Sequence, residues 1–262
     1  MGILNITPDS FSDGGKYLKK KRALIHATNL INSGADIIDI GGESSRPGAF
    51  PITIEEEKNR VIPIISDLRK ENPEILISVD TCKSEVAIEA LEVGADIIND
   101  ISGMRNDSKM AQIIQENKSP IVIMHMKGIP KNMQKNITYI NFIEDILLFF
   151  KERINYAKSF NIQDDQIIID PGIGFGKTLN QNFTLLNNIH IFCKLGYPVL
   201  IGTSKKSFLG KTLGLDTDNI LEGSIASNLF ATFKGAKILR VHDVKEIKKS
   251  LTIVEKAMNS KL

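Results

Sequence analysis

Short runs of β-branched and aliphatic residues recur along the chain, each followed by a polar or glycine-rich stretch and then by apolar residues at helical spacing. The runs predict strands over 2–6, 37–40, 75–79, 97–99, 121–124, 167–169, 199–201 and 238–241. Unbroken apolar runs suit strands covered on both faces. The intervals between them predict helices over 17–32, 54–69, 83–92, 107–117, 137–160, 180–195, 218–233 and 244–259. In the fifth, Ile140, Ile143, Ile146, Leu147 and Ile154 recur at helical spacing with Glu144, Lys151 and Glu152 between them, as on a helix lying against a barrel. Gly34, Gly94, Gly196 and Gly235 fall between helix and following strand, and residues 34–38 recur unchanged at 94–98. Eight such units predict an α/β fold, a single-domain (β/α)8 TIM barrel over 1–262; a doubly wound sheet has a similar rhythm.

The length of 262 residues is close to the roughly 250 of a TIM barrel. With 33 Lys and Arg against 31 Asp and Glu, the net charge of +2 gives no field to recruit nucleic acid or anionic lipid, so an anionic substrate needs a local cluster. Cys82 and Cys193 are the only cysteines, and no signal peptide or membrane-length apolar run is visible. These features predict a cytoplasmic enzyme without structural zinc.

Active sites of such barrels lie where the strands end. The polar residues there are Asn5, Asp39, Asp80, Asn99, His125, Asp170, Thr203 with Ser204, and Arg240 with His242. Each has a bland reading: Asp39 accepting turn N–H groups, Asp80 capping the next helix, Asp243 capping the last. Eight strand ends together argue for one polar pocket. The run Asp170-Pro171-Gly172-Ile173-Gly174-Phe175-Gly176-Lys177 fails the P-loop spacing, because Pro171 stands where a glycine is required. Its glycines instead suggest close approach to a flat ligand walled by Phe175, against tight-turn geometry alone. Of Lys205 and Lys206, one is expected to pair with Asp170 and the other to lie outward. Arg240 and His242, two apart, share a face if extended and can both donate to an anion. Cys82 has no identified base and reads as an inert thiol; His26 and His190 read as surface or packing residues.

At residues 1–15, 39–48, 78–81, 99–100, 124–126, 170–177, 204–208 and 240–243 the sequence closely resembles the dihydropteroate synthase family, in family order. Family chains commonly carry a segment before the first of these signatures. The resemblance implies a transferase that joins 6-hydroxymethyl-7,8-dihydropterin diphosphate to p-aminobenzoate, with loss of diphosphate through a pterin carbocation. It implies that Asp170 and Asn99 read the pterin edge with Asp80 beside them, and that Lys206 donates to the carbonyl and N5 side. Arg240 would stack on the ring and, with His242, meet the diphosphate, while Asn5 contributes a ligand to Mg2+. Met124 and Phe175 would line the ring and aryl-amine regions, with Gly202 among the substrate contacts. Ser45, Arg46 and Pro47 of the second loop, and Asp9 to Phe11 of the first, would close over the leaving group and shape the p-aminobenzoate pocket. A homodimer is also implied.

On this reading Asp170→Asn keeps the fold and loses pterin affinity, and Arg240→Ala loses most turnover with little change in thermal midpoint. Two departures stand out: Ser45 where the family often has threonine, and Lys205 where arginine is common. A pterin-binding methyltransferase shares the use of Asp80, Asn99 and Asp170 but has less use for Arg46, Lys206, Arg240 and His242. An inactive pterin-binding barrel is the other alternative.

Overall fold

The structure, a computed structural model, describes residues 1–6 and 16–260. Eight parallel strands form the centre: β1 (Gly2–Asn5), β2 (Ile37–Gly41), β3 (Leu76–Asp80), β4 (Ile97–Asp100), β5 (Ile121–Met124), β6 (Ile167–Asp170), β7 (Leu200–Ile201) and β8 (Ile238–Leu239). The first six pair in sequence order and β7 pairs with β8. Single bridges, Ile169 to Val199 and Gly2 to Val241, join the two groups and close the barrel. Around the second bridge, Ile3 N donates to Val241 O at 3.0 Å and Val241 N to Met1 O at 2.9 Å. The predicted single-domain (β/α)8 barrel is therefore the observed fold.

The helices are α1 (Lys16–Asn32), α2 (Ile54–Glu71), α3 (Ser84–Glu92), α4 (Met110–Asn117), α5 (Phe142–Ser159), α6 (Leu179–Asn187), α7 (Ile189–Cys193), α8 (Ser207–Leu213), α9 (Leu221–Phe233) and α10 (Val244–Asn259). Gly34 and Gly94 both carry positive φ, +94° and +112°, and end α1 and α3 where the sequence echo placed them.

Three helical expectations change. The Asp145 carboxylate accepts from Ile140 N at 3.0 Å, so α5 starts at Phe142 and Ile140 is left 93% exposed. The buried stripe runs through Ile146, Phe150 and Ile154, with Ile143 and Leu147 packed beside it. The single helix expected over 180–195 is broken at Asn188, whose side-chain N–H donates to Thr184 O at 2.8 Å. Helix α8 has no counterpart in the predicted set; it follows directly on Lys206 and stops at Gly214, where φ is +69°.

Two apolar regions hold the molecule together. The larger lies between strands and helices. Inside the barrel, Met1, Ile97, Val122, Ile168 and Leu200 pack with Ile37 and Ile238 to form a floor. Side chains alternate along a strand, so residues two positions further on enter the same interior at a higher level. Those residues include Asp39, Asn99, Met124, Asp170, Gly202 and Arg240. Among the described residues no helix is long and apolar enough to cross a membrane.

Candidate active site

Strand register sets the polar residues in rows. Asn5, Gly41, Asp80 and Asn99 are successive partners across β1 to β4, and Met124 is partnered with Asp170 across β5 and β6. At Gly41 a Cβ would lie 3.5 Å from both Asn5 Oδ1 and Asp80 Cβ, so the missing side chain keeps room between the amide and the carboxylate.

Arg240 ties the rows together. Its Nε donates to Asp39 Oδ2 at 2.6 Å and its Nη2 to Asp80 Oδ2 at 3.0 Å. Asp39, wholly buried, also accepts from Ser78 Oγ at 2.6 Å and from Asn99 Nδ2 at 3.2 and 3.4 Å. Burial pushes the Asp80 carboxyl up to about 7 despite the opposing pull of Arg240. Asp80 is not the cap of α3; Ser84 N donates instead to Asp107 Oδ2 at 2.9 Å.

Asp170 is 6% exposed and accepts from Gly172 N at 2.7 Å; burial raises its carboxyl to about 6. Lys206 does not make the expected ion pair with it among the described residues. Its ammonium stands 4.1 Å above the centroid of the Phe175 ring, and burial, then Arg240, lower its pKa to about 8. Lys205 lies on the other side, 3.4 Å from Asp243, which makes no side-chain cap on α10. Met124 and Phe175 pack with Met126 and Met133, with Ile101 against them, as an apolar wall.

The glycines after Asp170 differ from the sequence expectation. A Cβ on Gly172 would fall 2.0 Å from His125 O, and one on Gly176 2.6 Å from Lys127 O. Their close approach is therefore to the β5 end of the protein itself, while Gly174 faces the Lys206 stem. Lys177 locks this contact from inside: its buried ammonium reaches Phe175 O at 2.9 Å and His125 Nδ1 at 3.0 Å. His125, held neutral by burial and by Lys177, serves that lock.

His242 shares the rim with Arg240. Its backbone N–H donates to Ser204 Oγ at 3.2 Å, and the same oxygen lies 3.2 Å from Nδ1. With the Ser204 hydroxyl donating to Nδ1, one of the two arrangements this contact allows, the imidazole proton sits on Nε2. Burial, then Arg240, Lys205, Lys206 and Arg46, lower its pKa to about 3, so the ring is neutral. Arg240 and Lys206, with Arg46 at the rim, make this part of the mouth cationic.

The second loop reaches toward the segment after β5. Gly48 N donates to Pro130 O at 3.0 Å, Arg46 and Pro47 are exposed, and Ser44 and Ser45 border a cavity of about 350 Å³ that extends from Asp80 past Ile101 to Met126. At the base of the loop, Lys83 bridges Glu43, at 2.5 Å, and buried Glu57. Cys82 is an inert thiol, its pKa pushed well up by burial and Asp100. His26 and His190 are exposed on α1 and α7. Asp9 and the rest of the first loop lie outside the described residues. Among the described residues no three His, Cys, Asp or Glu side chains gather to hold a metal.

Residues 1–242 match the model of a family described as pterin binding enzyme. The dihydropteroate synthase of Bacillus subtilis (strain 168) is 46% identical over 259 residues, which is 99% of this chain and 88% of that protein. The chain belongs to the dihydropteroate synthase family of pterin-binding enzymes. A solved dihydropteroate synthase of Xanthomonas albilineans with 4-aminobenzoic acid superposes with a TM-score of 0.94 at 39% identity, covering all of this chain and 93% of that one. The same enzyme in complex with 7,8-dihydropteroate gives 0.90 at 37% identity, covering 100% and 94%.

Against that family pattern, the side chains quoted from the sequence that belong to the described residues fall at one mouth, with Arg46 at its outer edge. Asp39, Ser204 and Lys177 are what the sequence reading left unassigned. Asp39 and Ser204 carried a signal, since both stand among the polar residues at strand ends; Lys177 is recognisable only from the contacts it makes.

Proposed function

We infer that the chain catalyses the dihydropteroate synthase reaction, a transfer that joins a 6-hydroxymethyl-7,8-dihydropterin diphosphate to 4-aminobenzoate and releases diphosphate. The observation that carries this reading is that one mouth gathers both acceptors and cations. Asp80, Asn99 and Asp170 supply the acceptors, and Arg240, bonded to Asp80, stands with Lys206, His242 and, at the outer edge, Arg46. A flat ring with N–H donors suits the acceptors and Lys206, and a departing diphosphate suits Arg240, His242 and Arg46.

In the proposed chemistry, Asp170 and Asn99 hold the pterin edge with Asp80 next to them. Lys206, over Phe175, donates to the ring's carbonyl and N5 side. The bond between the pterin methylene carbon and the diphosphate oxygen breaks with its electrons leaving on oxygen, where Arg240, Arg46 and the Nε2–H of His242 receive the charge. The aryl amine then forms the C–N bond and gives up a proton. Ser45, Pro47 and Asp9 are assigned to the aminobenzoate side, Met124 to the ring wall, and Gly202, beside Arg240, leaves room for the ring.

Asn5 fits a magnesium ion in this scheme, because its carboxamide oxygen projects beside Asp80 over side-chain-free Gly41. Held there by Asn5, Mg2+ would supply charge neutralisation to the leaving group. A homodimer is the proposed assembly, supported by an apolar hollow between α6, α8 and α9 that includes partly exposed Phe183, Leu213 and Phe230. A monomer mass in equilibrium sedimentation refutes it.

The gathered cations disfavour the methyltransferase reading. The test is a product assay with the dihydropterin diphosphate, 4-aminobenzoate and Mg2+. Diphosphate released only when both substrates are present is the expected result. Methyl transfer from a methylated folate, or binding without release, overturns it.

A further inference from the structure

We propose that Asp39 is a specificity-determining positioning residue: it fixes which way the Asn99 carboxamide faces and thereby makes the pocket select a ring carrying a 2-amino group. This inference rests on the pterin reading above.

The argument starts from what a carboxylate paired with a guanidinium can do, which is accept and never donate. Asp39 has no exposed surface, and Arg240, Ser78 and Asn99 all direct hydrogen toward it. The amide atom of Asn99 that faces it must therefore be nitrogen. The reversed amide would set two oxygen acceptors against each other inside the barrel, with no proton between them. Asp39 thus removes the two-fold ambiguity that a carboxamide otherwise has.

Once Nδ2 is committed, the other edge of the amide has a fixed order. Oδ1, which has no hydrogen-bond partner among the described residues, is an acceptor, and the second hydrogen of Nδ2 is a donor beside it. A ring with an exocyclic amine next to an unprotonated ring nitrogen presents donor then acceptor, the complement of that order. A 2-oxo ring presents acceptor then donor. An amide free to turn would satisfy either ring, whereas an amide pinned by Asp39 leaves the 2-oxo ring with both contacts mismatched. The carboxylate does this without touching the ligand, from one level below Gly41 on the same strand.

The experiment measures calorimetric affinities of the full chain for 6-hydroxymethylpterin and for its 2-oxo counterpart. The parent protein is expected to prefer the 2-amino ring by about 10- to 100-fold, the range of one well-placed bidentate contact. In Asp39→Ala, water fills the vacated space and bonds either amide atom, so the preference is expected to shrink to about threefold or less. Ser78→Ala leaves the Asp39 to Asn99 contact in place and is expected to keep the parent ratio. A ratio of affinities is the readout because general loosening of the site weakens both ligands together.

Should Asp39→Ala fail to fold, the double variant Asp39→Leu, Arg240→Met removes both members of the buried pair and is read the same way. A folded variant lacking Asp39 that keeps the parent ratio overturns the proposal. So does a parent protein that binds both rings equally, although the functional reading then stands. A parent protein that binds neither ring overturns both.

Discussion

Arg240 Nη2 stands 3.0 Å from Asp80 Oδ2, a contact that joins β8 to β3 across the barrel mouth. The same guanidinium holds Asp39. Its removal leaves two inward carboxylates without their cation, so Arg240 is expected to support the fold as well as the proposed turnover.

For Arg240→Ala the expected result is a loss of steady-state activity of about 100-fold or more. The fold is also weakened, by on the order of 2–4 kcal/mol. That corresponds to a fall in Tm of about 5–10 °C. This revises the sequence-based expectation of an unchanged midpoint. A differential scan that overlays the parent's refutes the structural half, and a near-normal rate refutes the catalytic half.

Asp170→Asn is expected to weaken pterin binding severely in calorimetry, and unchanged affinity counts against its role. It also has a pH signature. The folded carboxyl titrates at about 6 against an ordinary 3.8, so the folded state holds its proton more tightly than the unfolded chain. Stability from this group is full below about 4, falls as pH rises toward 6, and is flat above. The asparagine variant lacks that fall, so relative to the parent it is expected to gain on the order of 2 kcal/mol between pH 4 and pH 7. Parallel pH dependences in thermal melts contradict this.

Much of the site was legible because side chains alternate along a strand. From the apolar floor residues Ile37, Ile97, Val122, Ile168, Leu200 and Ile238, a step of two reaches Asp39, Asn99, Met124, Asp170, Gly202 and Arg240. The sequence displays that step directly. Contacts between segments are not displayed in the same way. Nothing local to Lys177 shows that its ammonium turns back beneath His125, and nothing local to Gly172 shows that its neighbour is protein backbone. Helix α8 is not legible in the pattern because it is only seven residues long and begins directly after the lysine pair.

Lys177 gives a prediction of opposite sign. Burial lowers its pKa to about 7 from 10.5, so the unfolded chain binds the proton more tightly. Stability therefore rises as pH increases from about 7 toward 10.5, by up to about 1.4 kcal/mol per unit. Lys177→Met is expected to flatten that rise in denaturant titrations at pH 7 and pH 9. An unchanged slope shows that the buried ammonium is not the titrating group.

Lys83 anchors the base of the second loop through Glu43 and Glu57. Lys83→Met is expected to raise KM for 4-aminobenzoate about tenfold while dihydropterin affinity moves less than about twofold, and Lys83→Arg to restore part of the loss. Equal weakening of both substrates shows that the clamp supports the whole mouth rather than the loop.

The barrel's two single-bridge junctions join β7 and β8, as a thin wedge, to the other six strands through shorter backbone ladders than those within the six-stranded sheet. That wedge carries Lys206, Arg240 and His242, so the wall proposed to meet the leaving group is also the one with the fewest backbone ties to its neighbours. An anion clasped by those cations and by Asn5 across the seam would stitch the wedge shut, and amide exchange in β7 and β8 should slow more on ligand binding than exchange in β3 or β4.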